Sequence, residues 1–181
     1  KALVAGNALR TIADGCLWHL VDEGVDFHRS LFVSRLLTNA YLDMIEGQYM
    51  DIEFEGRSDI SITDYIKMIS KKTGTLIKCS MHIGALVSEA NPETVLAFKN
   101  CGRSLGLAFQ IKDDELGIWG QEKETGKPTG ADIKRKKNSL PLVYTTLHAT
   151  GNNRKILEKT YAQETLDADD VNYVLEVMDS V

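Results

Sequence analysis

Cysteine is scarce in this chain. The three present, Cys16, Cys79 and Cys101, are odd in number and lack metal-ligand spacing. A disulfide framework and a zinc site are therefore not expected, and a reduced compartment, the cytoplasm, is. No apolar run approaches the length of a membrane span and no signal-peptide pattern is seen, so no transmembrane segment is expected. Excess positive charge is also missing: 21 Lys and Arg stand against 26 Asp and Glu, a net charge of -5. Binding to a phosphate backbone normally leaves a basic footprint, so nucleic acid is not an expected partner. There is no internal repeat, no low-complexity tract and no flexible linker, and no alternation of apolar residues argues for a sheet. What remains is 181 residues, 43% hydrophobic and 26% charged, an ordinary globular composition with enough chain for one domain and a sizeable core. Lys1 is not an initiator Met, the helical pattern starts without a start signal, and Val181 falls within a helix-like run. Further chain is therefore expected at both ends.

The richest stretch is Phe109 to Pro141, FQIKDDELGIWGQEKETGKPTGADIKRKKNSLP. Its first part reads as a helix from about Cys101 to Trp119, apolar around most of its circumference through Leu105, Leu107, Phe109, Ile111, Leu116 and Trp119. That is the pattern of a helix buried on nearly every side. One stripe, Arg103, Gly106, Gln110, Asp113 and Gly117, is polar or side-chain-free, with Asp114 one step around. Such a row suits a cavity that needs space and charge. Two neighbouring buried carboxylates are costly unless paired, and a hard divalent cation with oxygen ligands, Mg²⁺, would relieve them. After Trp119-Gly120, Gly126, Pro128 and Gly130 turn the chain repeatedly around Lys127, and Lys134, Arg135, Lys136 and Lys137 follow. Lysines facing a metal-bridged anion point to a diphosphate. The plainer alternatives are that Asp113 and Asp114 form an exposed acidic patch and that KRKK is a solvated helix face.

Phe109 to Tyr144, through FQIKDD, GIWG, TGKPTGADI and KKNSLPLVY, resembles the second aspartate-rich region of the trans-isoprenyl diphosphate synthases, the polyprenyl synthetase family. In that family the aspartates hold Mg²⁺ on an allylic diphosphate and the lysines hold its oxygens. The resemblance assigns metal binding to Asp113 and Asp114, and catalytic contact with the diphosphate to Gln110, Lys127 and Lys137. Many members carry a further aspartate where this chain has Gly117, which implies one metal ligand fewer. The family's first aspartate-rich motif, with its lysine and arginines for isopentenyl diphosphate, lies upstream of the region matching AGNAL and has no counterpart here. The chain alone is therefore expected to be inactive.

Elsewhere the chain reads as one helix after another. Ala2 to Leu20 is a packed helix, and Asn7 in AGNAL serves packing. Asp22, Glu23 and Asp26 belong to an interhelix loop. A second helix spans about Ser30 to Glu55, with Gln48 and Asp51 three apart, so that both can point into one cavity. They resemble the family's GQxxD element, a surface position being the alternative. Ser61 or Thr63 caps a third helix running to about Glu89. Within it YIKMISKKTGTLI resembles the family's KT element, which assigns allylic-diphosphate contact to Lys72 and Thr73 and leaves Lys71 exposed. His82 is a core or surface histidine. Pro92 opens a helix that either continues through Cys101 or breaks near Gly102. Further helices follow Pro141, span Asn152 to Gln163, and start at the Asp167 cap, where Asp169 and Asp170 favour the positive helix end.

The resulting expectation is an all-α isoprenoid-synthase helical bundle, incomplete at both ends, with residues 1–181 forming one partial domain. The resemblance implies Mg²⁺-dependent head-to-tail condensation of an allylic diphosphate with isopentenyl diphosphate, by a homodimer paired through helices corresponding to the first two here. Two other classes stay open: a non-catalytic subunit modulating a related synthase, and a class I terpene cyclase. The cyclase-type second metal motif, Asn or Asp, then Ser or Thr, then Glu at helical spacing, is absent.

Overall fold

The computed structural model describes residues 1–126 and 128–181, and of Glu124 the backbone alone. Among the described residues the chain is helical with no strand, as the lack of alternating patterning predicts. No helix among them is long and apolar enough to cross a membrane.

Helix α1 (Ala2–Trp18) lies against α2 (Phe27–Phe54), with the Arg10 guanidinium 4.7 Å from the centre of the Tyr41 ring. Asp26, read above as loop, is the α2 N-cap: its carboxylate accepts from the Arg29 amide at 3.0 Å, so α2 starts before Ser30. Helix α3 (Ile62–Ile69) opens on a capping box in which Ser61 Oγ accepts from the Asp64 amide and Asp64 accepts from the Ser61 amide. Ser61→Ala is expected to cost about 1 kcal/mol of unfolding free energy in urea titration. An unchanged midpoint would show that this cap is dispensable.

The continuous helix expected as far as Glu89 is interrupted. Ser70–Gly74 forms a single π turn, and α4 (Thr75–Val87) resumes after it. This widened turn is held between two glycines of neighbouring helices. A Cβ on Gly47 of α2 would lie 2.2 Å from the Lys72 amide nitrogen, and one on Gly106, in the helix Pro92–Trp119, would lie 2.5 Å from Gly74 Cα. Backbone therefore touches backbone on both sides, and the wide turn carries Lys72 and Thr73.

Helix α5 (Pro92–Trp119), capped by Asn91, runs unbroken through Cys101 and Gly102 and packs along α4. Its buried line is Gly102, Gly106, Gln110, Asp114 and Ile118, one residue out of phase with the stripe read from the sequence at its acidic end. Gly102 and Gly106 admit backbone atoms of Lys78 and Gly74 rather than a ligand. The remaining circumference is not buried as expected, with Leu105 53% and Phe109 60% exposed.

Short helices α6 (Glu122–Thr125) and α7 (Ala131–Lys134) lead to α8 (Leu140–His148), α9 (Gly151–Tyr161) and α10 (Ala168–Asp179). Two apolar cores result. Ile118 packs with Ile133, Leu142 and the inner faces of α9 and α10, while Phe54, Tyr65, Met68 and Ile69 pack with Val143. Helix α8 joins them through the adjacent residues Leu142 and Val143. Asn138 donates to the Phe54 and Arg57 carbonyls, which ties the segment before α8 to the end of α2.

Candidate functional site

Helices α3 and α5 and the α7–α8 segment meet around Asp114, which is 1% exposed. Its carboxylate accepts from four donors. Oδ1 takes Lys137 Nζ at 2.8 Å and Gln110 Nε2 at 3.0 Å, and Oδ2 takes the Tyr65 hydroxyl at 2.7 Å and the Leu140 amide at 3.1 Å. These bonds use the acceptor capacity of an ionised carboxyl, so Asp114 needs no further partner. Asp113 is its opposite: its side chain is 58% exposed, with Gln110 Nε2 at 3.2 Å and Lys137 Nζ at 4.0 Å. The buried acidic pair read from the sequence is thus one buried and one outward carboxylate. Adjacent residues on a helix point about 100° apart, so a single wall can bury only one of them.

Around this centre the expected residues form a hydrogen-bonded chain through Gln110, with a separate Lys72–Asp51 pair. Thr73 Oγ1 donates to Gln110 Oε1 at 2.5 Å, and Gln110 passes the connection to both aspartates. Lys72 Nζ bonds Asp51 Oδ2 at 2.6 Å, with Asp51 buried at the edge of α2. Its helical neighbour Gln48 is exposed and does not share that inward direction. Lys71, expected to be exposed, is part-buried, 2.5 Å from Glu46 and 3.6 Å from Asp43. Lys127 lies outside the described residues.

Of the basic run only Lys137 turns inward. Arg135 faces Glu55 at 3.6 Å, and Lys136, in the left-handed region with φ 53°, donates to the Tyr161 and Gln163 carbonyls at the end of α9. A run of four cations that would repel one another in one pocket is instead spread around a turn. Burial alone would lower the Lys137 pKa, but the nearby Asp114 and then Asp132 outweigh it and hold the ammonium above its ordinary value. Tyr65 is pushed up first by burial and then by the Asp114 charge, so it remains a donor.

Two members of the site escaped the sequence reading. Tyr65 opens the YIKMISKKTGTLI run beside Ile66 and Ile69, and a hydroxyl among such apolar neighbours needs a buried acceptor. Asp132, buried and 3.1 Å from Lys137 Nζ, lies in the GADI part of the glycine-punctuated segment, where a carboxylate flanked by Ala and Ile was the available signal.

Asp51, Asp113, Asp114 and Asp132 surround two ammonium groups, Lys72 and Lys137, so the site holds an excess of negative charge. Among the described residues no three His, Cys, Asp or Glu side chains converge as a metal cage. The donor set fits Mg²⁺ shared between one protein carboxylate, waters and phosphate oxygens, a common mode for that ion. Asp113 is the residue with open lone pairs for it.

The polyprenyl synthetase family model matches residues 1–178. A geranylgeranyl diphosphate synthase of Mycobacterium tuberculosis is 40% identical over 142 residues, 78% of this chain and 39% of that protein. A geranylgeranyl diphosphate synthase of Saccharolobus solfataricus is 39% identical over 177 residues, 98% of this chain and 53% of that protein. Among solved structures, a polyprenyl synthetase from Streptomyces coelicolor A3(2) superposes with a TM-score of 0.78 at 32% identity, covering 99% of this chain and 53% of that one. The chain thus spans about half the length of curated relatives it matches.

Proposed function

Because the chain belongs to the polyprenyl synthetase family, we propose that it forms the allylic-diphosphate wall of a trans-prenyltransferase. The whole protein would join an allylic diphosphate to isopentenyl diphosphate. The observation that carries this reading is the convergence of Lys72, Thr73, Gln110, Asp113 and Lys137 from three separate segments onto one site. An anion entering there meets the Lys72 and Lys137 ammonium groups, donors that grow more effective as charge builds on the departing diphosphate, beside Thr73, whose hydroxyl hydrogen is given to Gln110.

In the reaction the bond between the allylic carbon and the diphosphate oxygen breaks. The isopentenyl double bond attacks that carbon, a proton is lost from the adduct, and inorganic pyrophosphate leaves. Asp113 would hold Mg²⁺, and the ion would supply Lewis-acid stabilisation of the leaving group. Lys72 is held by Asp51 until an anion competes for it, and Lys137 is held by Asp114 and Asp132. Gln110 orients Thr73 and the Asp113 carboxylate together. Lys127, one residue from the Gly126 turn, is proposed as an additional diphosphate contact on the resemblance alone. The apolar residues exposed on α1 and α2, among them Leu3, Leu9, Phe32 and Leu42, support a homodimer as the assembly.

The test compares two acidic positions in the full-length protein. Asp113→Ala is expected to lower the Mg²⁺-dependent kcat/KM for the allylic substrate by roughly 10²-fold, the scale of losing one electrostatic stabiliser. Asp169→Ala, in the exposed first turn of α10, should leave it unchanged. Equal losses would overturn the assignment of the site.

A further inference from the structure

Asn138 follows Lys137 in the chain and is 5% exposed. Its Nδ2 group has two hydrogens and donates to both the Phe54 carbonyl and, at 3.0 Å, the Arg57 carbonyl. Phe54 is the last residue of α2, and the carbonyls of a final helical turn have no acceptor role left within their own helix. The residue on the other side of Lys137 is tied to the same place, because the Gly56 amide donates to the Lys136 carbonyl at 3.0 Å. Lys137 is therefore carried on a short segment bonded on both flanks to the end of α2. The same helix holds the other ammonium group. Gly47, Asp51 and Phe54 share one face of α2 at spacings of four and three residues, and all three are buried. Gly47 abuts the backbone of Lys71 and Lys72, and one turn on Asp51 accepts from Lys72 Nζ at 2.6 Å. At the end of that face the Phe54 carbonyl takes Asn138. About 10 Å of one helix face thus separates the attachments of the Lys72 and Lys137 segments, at the usual rise per residue.

We infer that Asn138 is a positioning residue: by seating the Lys137 segment on the end of α2, it sets the gap between the Lys137 and Lys72 ammonium groups and so their joint fit to a diphosphate. The ion pairs of the two lysines do not set this gap. Lys72 is paired to Asp51 of α2, whereas Lys137 is paired to Asp114 of α5 and Asp132 of α7, so each ammonium is referred to a different element. The Asn138 amide refers both to α2. A diphosphate has a fixed length, so two donors serve it together only at a matching separation, and a small error in placement is costly. This inference rests on the proposed role of the site.

The experiment measures binding of inorganic pyrophosphate in the presence of Mg²⁺ by calorimetry, on the full-length protein, for wild type, Asn138→Ala, Lys72→Ala and the double variant, with Tm recorded for each. Asn138→Ala is expected to weaken pyrophosphate about tenfold, the lower end of what losing an orienting partner costs. The double variant should bind no more weakly than Lys72→Ala alone, because with one ammonium gone there is no separation left to set. A residue that merely stiffened the fold would weaken binding by the same factor whether or not Lys72 is present. Asn138→Ser, whose hydroxyl has one hydrogen for the two carbonyls, takes the place of Asn138→Ala in both arms if the alanine variant does not fold. If wild type binds pyrophosphate and the Asn138 variant binds it equally well, or if the Asn138 and Lys72 losses add, the inference is wrong while the proposed function stands. If wild type shows no Mg²⁺-dependent binding, the proposed function fails and the inference fails with it.

Discussion

Asp114→Asn is expected to lower the unfolding free energy by about 3–5 kcal/mol, the cost of breaking one side of a buried ion pair. Asp113→Asn should stay within about 0.5 kcal/mol of wild type, as surface changes do. The substitution at 114 changes neither shape nor volume, yet all four neighbours of that carboxylate are donors: Lys137, Gln110, Tyr65 and the Leu140 amide. Whichever way the new amide turns, its NH₂ faces a donor, and Lys137 keeps only Asp132 as a directly hydrogen-bonded carboxylate, with Asp113 at 4.0 Å. Urea titration of both variants separates the two roles, stability at 114 and proposed cation binding at 113. Equal destabilisation would mean that the inward direction of Asp114 and the outward direction of Asp113 are wrong.

Gly47→Ala is expected to be nearly as damaging, at about 3 kcal/mol, the upper end of what overpacking costs. The added methyl would meet the Lys72 nitrogen at 2.2 Å and both the Lys71 carbonyl carbon and Lys72 Cα at 2.7 Å. All three are backbone atoms, so no side chain can swing aside. Helix α2 and the π turn must separate, which moves Lys72 and Thr73 away from Gln110. A displacement near 1 Å is expected to cost roughly 10²-fold in kcat/KM as well. Gly84→Ala is the matched control: it lies in α4 with nothing within 4 Å of the new methyl, and it should stabilise by up to about 1 kcal/mol through helix propensity. If Gly47→Ala were as benign as Gly84→Ala, the close passage of α2 over the turn would be disproved.

Much of the helical order was legible in the residues. Caps such as Ser61, Asn91 and Asp167 stand where the helices begin, because a short side-chain oxygen satisfies a first-turn amide wherever it occurs. The π turn was not legible, since SKKTG continues a helical pattern and its widening depends on Gly47 and Gly106, which come from other helices. Nor was the phase of α5. Its acidic end supports two stripes one residue apart, and the choice between them is made by Tyr65 and Lys137 on segments 49 and 23 residues away. The apolar residues of α5 show the converse error, because apolar character does not say which segment will cover a side chain, and here Leu105 and Phe109 stay more than half exposed.

By itself the sequence determined that this protein is helical and that its family is polyprenyl synthetase, and it singled out the aspartates and lysines around Asp113, because local capping, periodicity and residue type are written along the chain. The tertiary structure decided which carboxylate is buried and which lysine of four turns inward. Each of these depends on the donor or acceptor that a distant segment brings to the same point, and no local pattern encodes that.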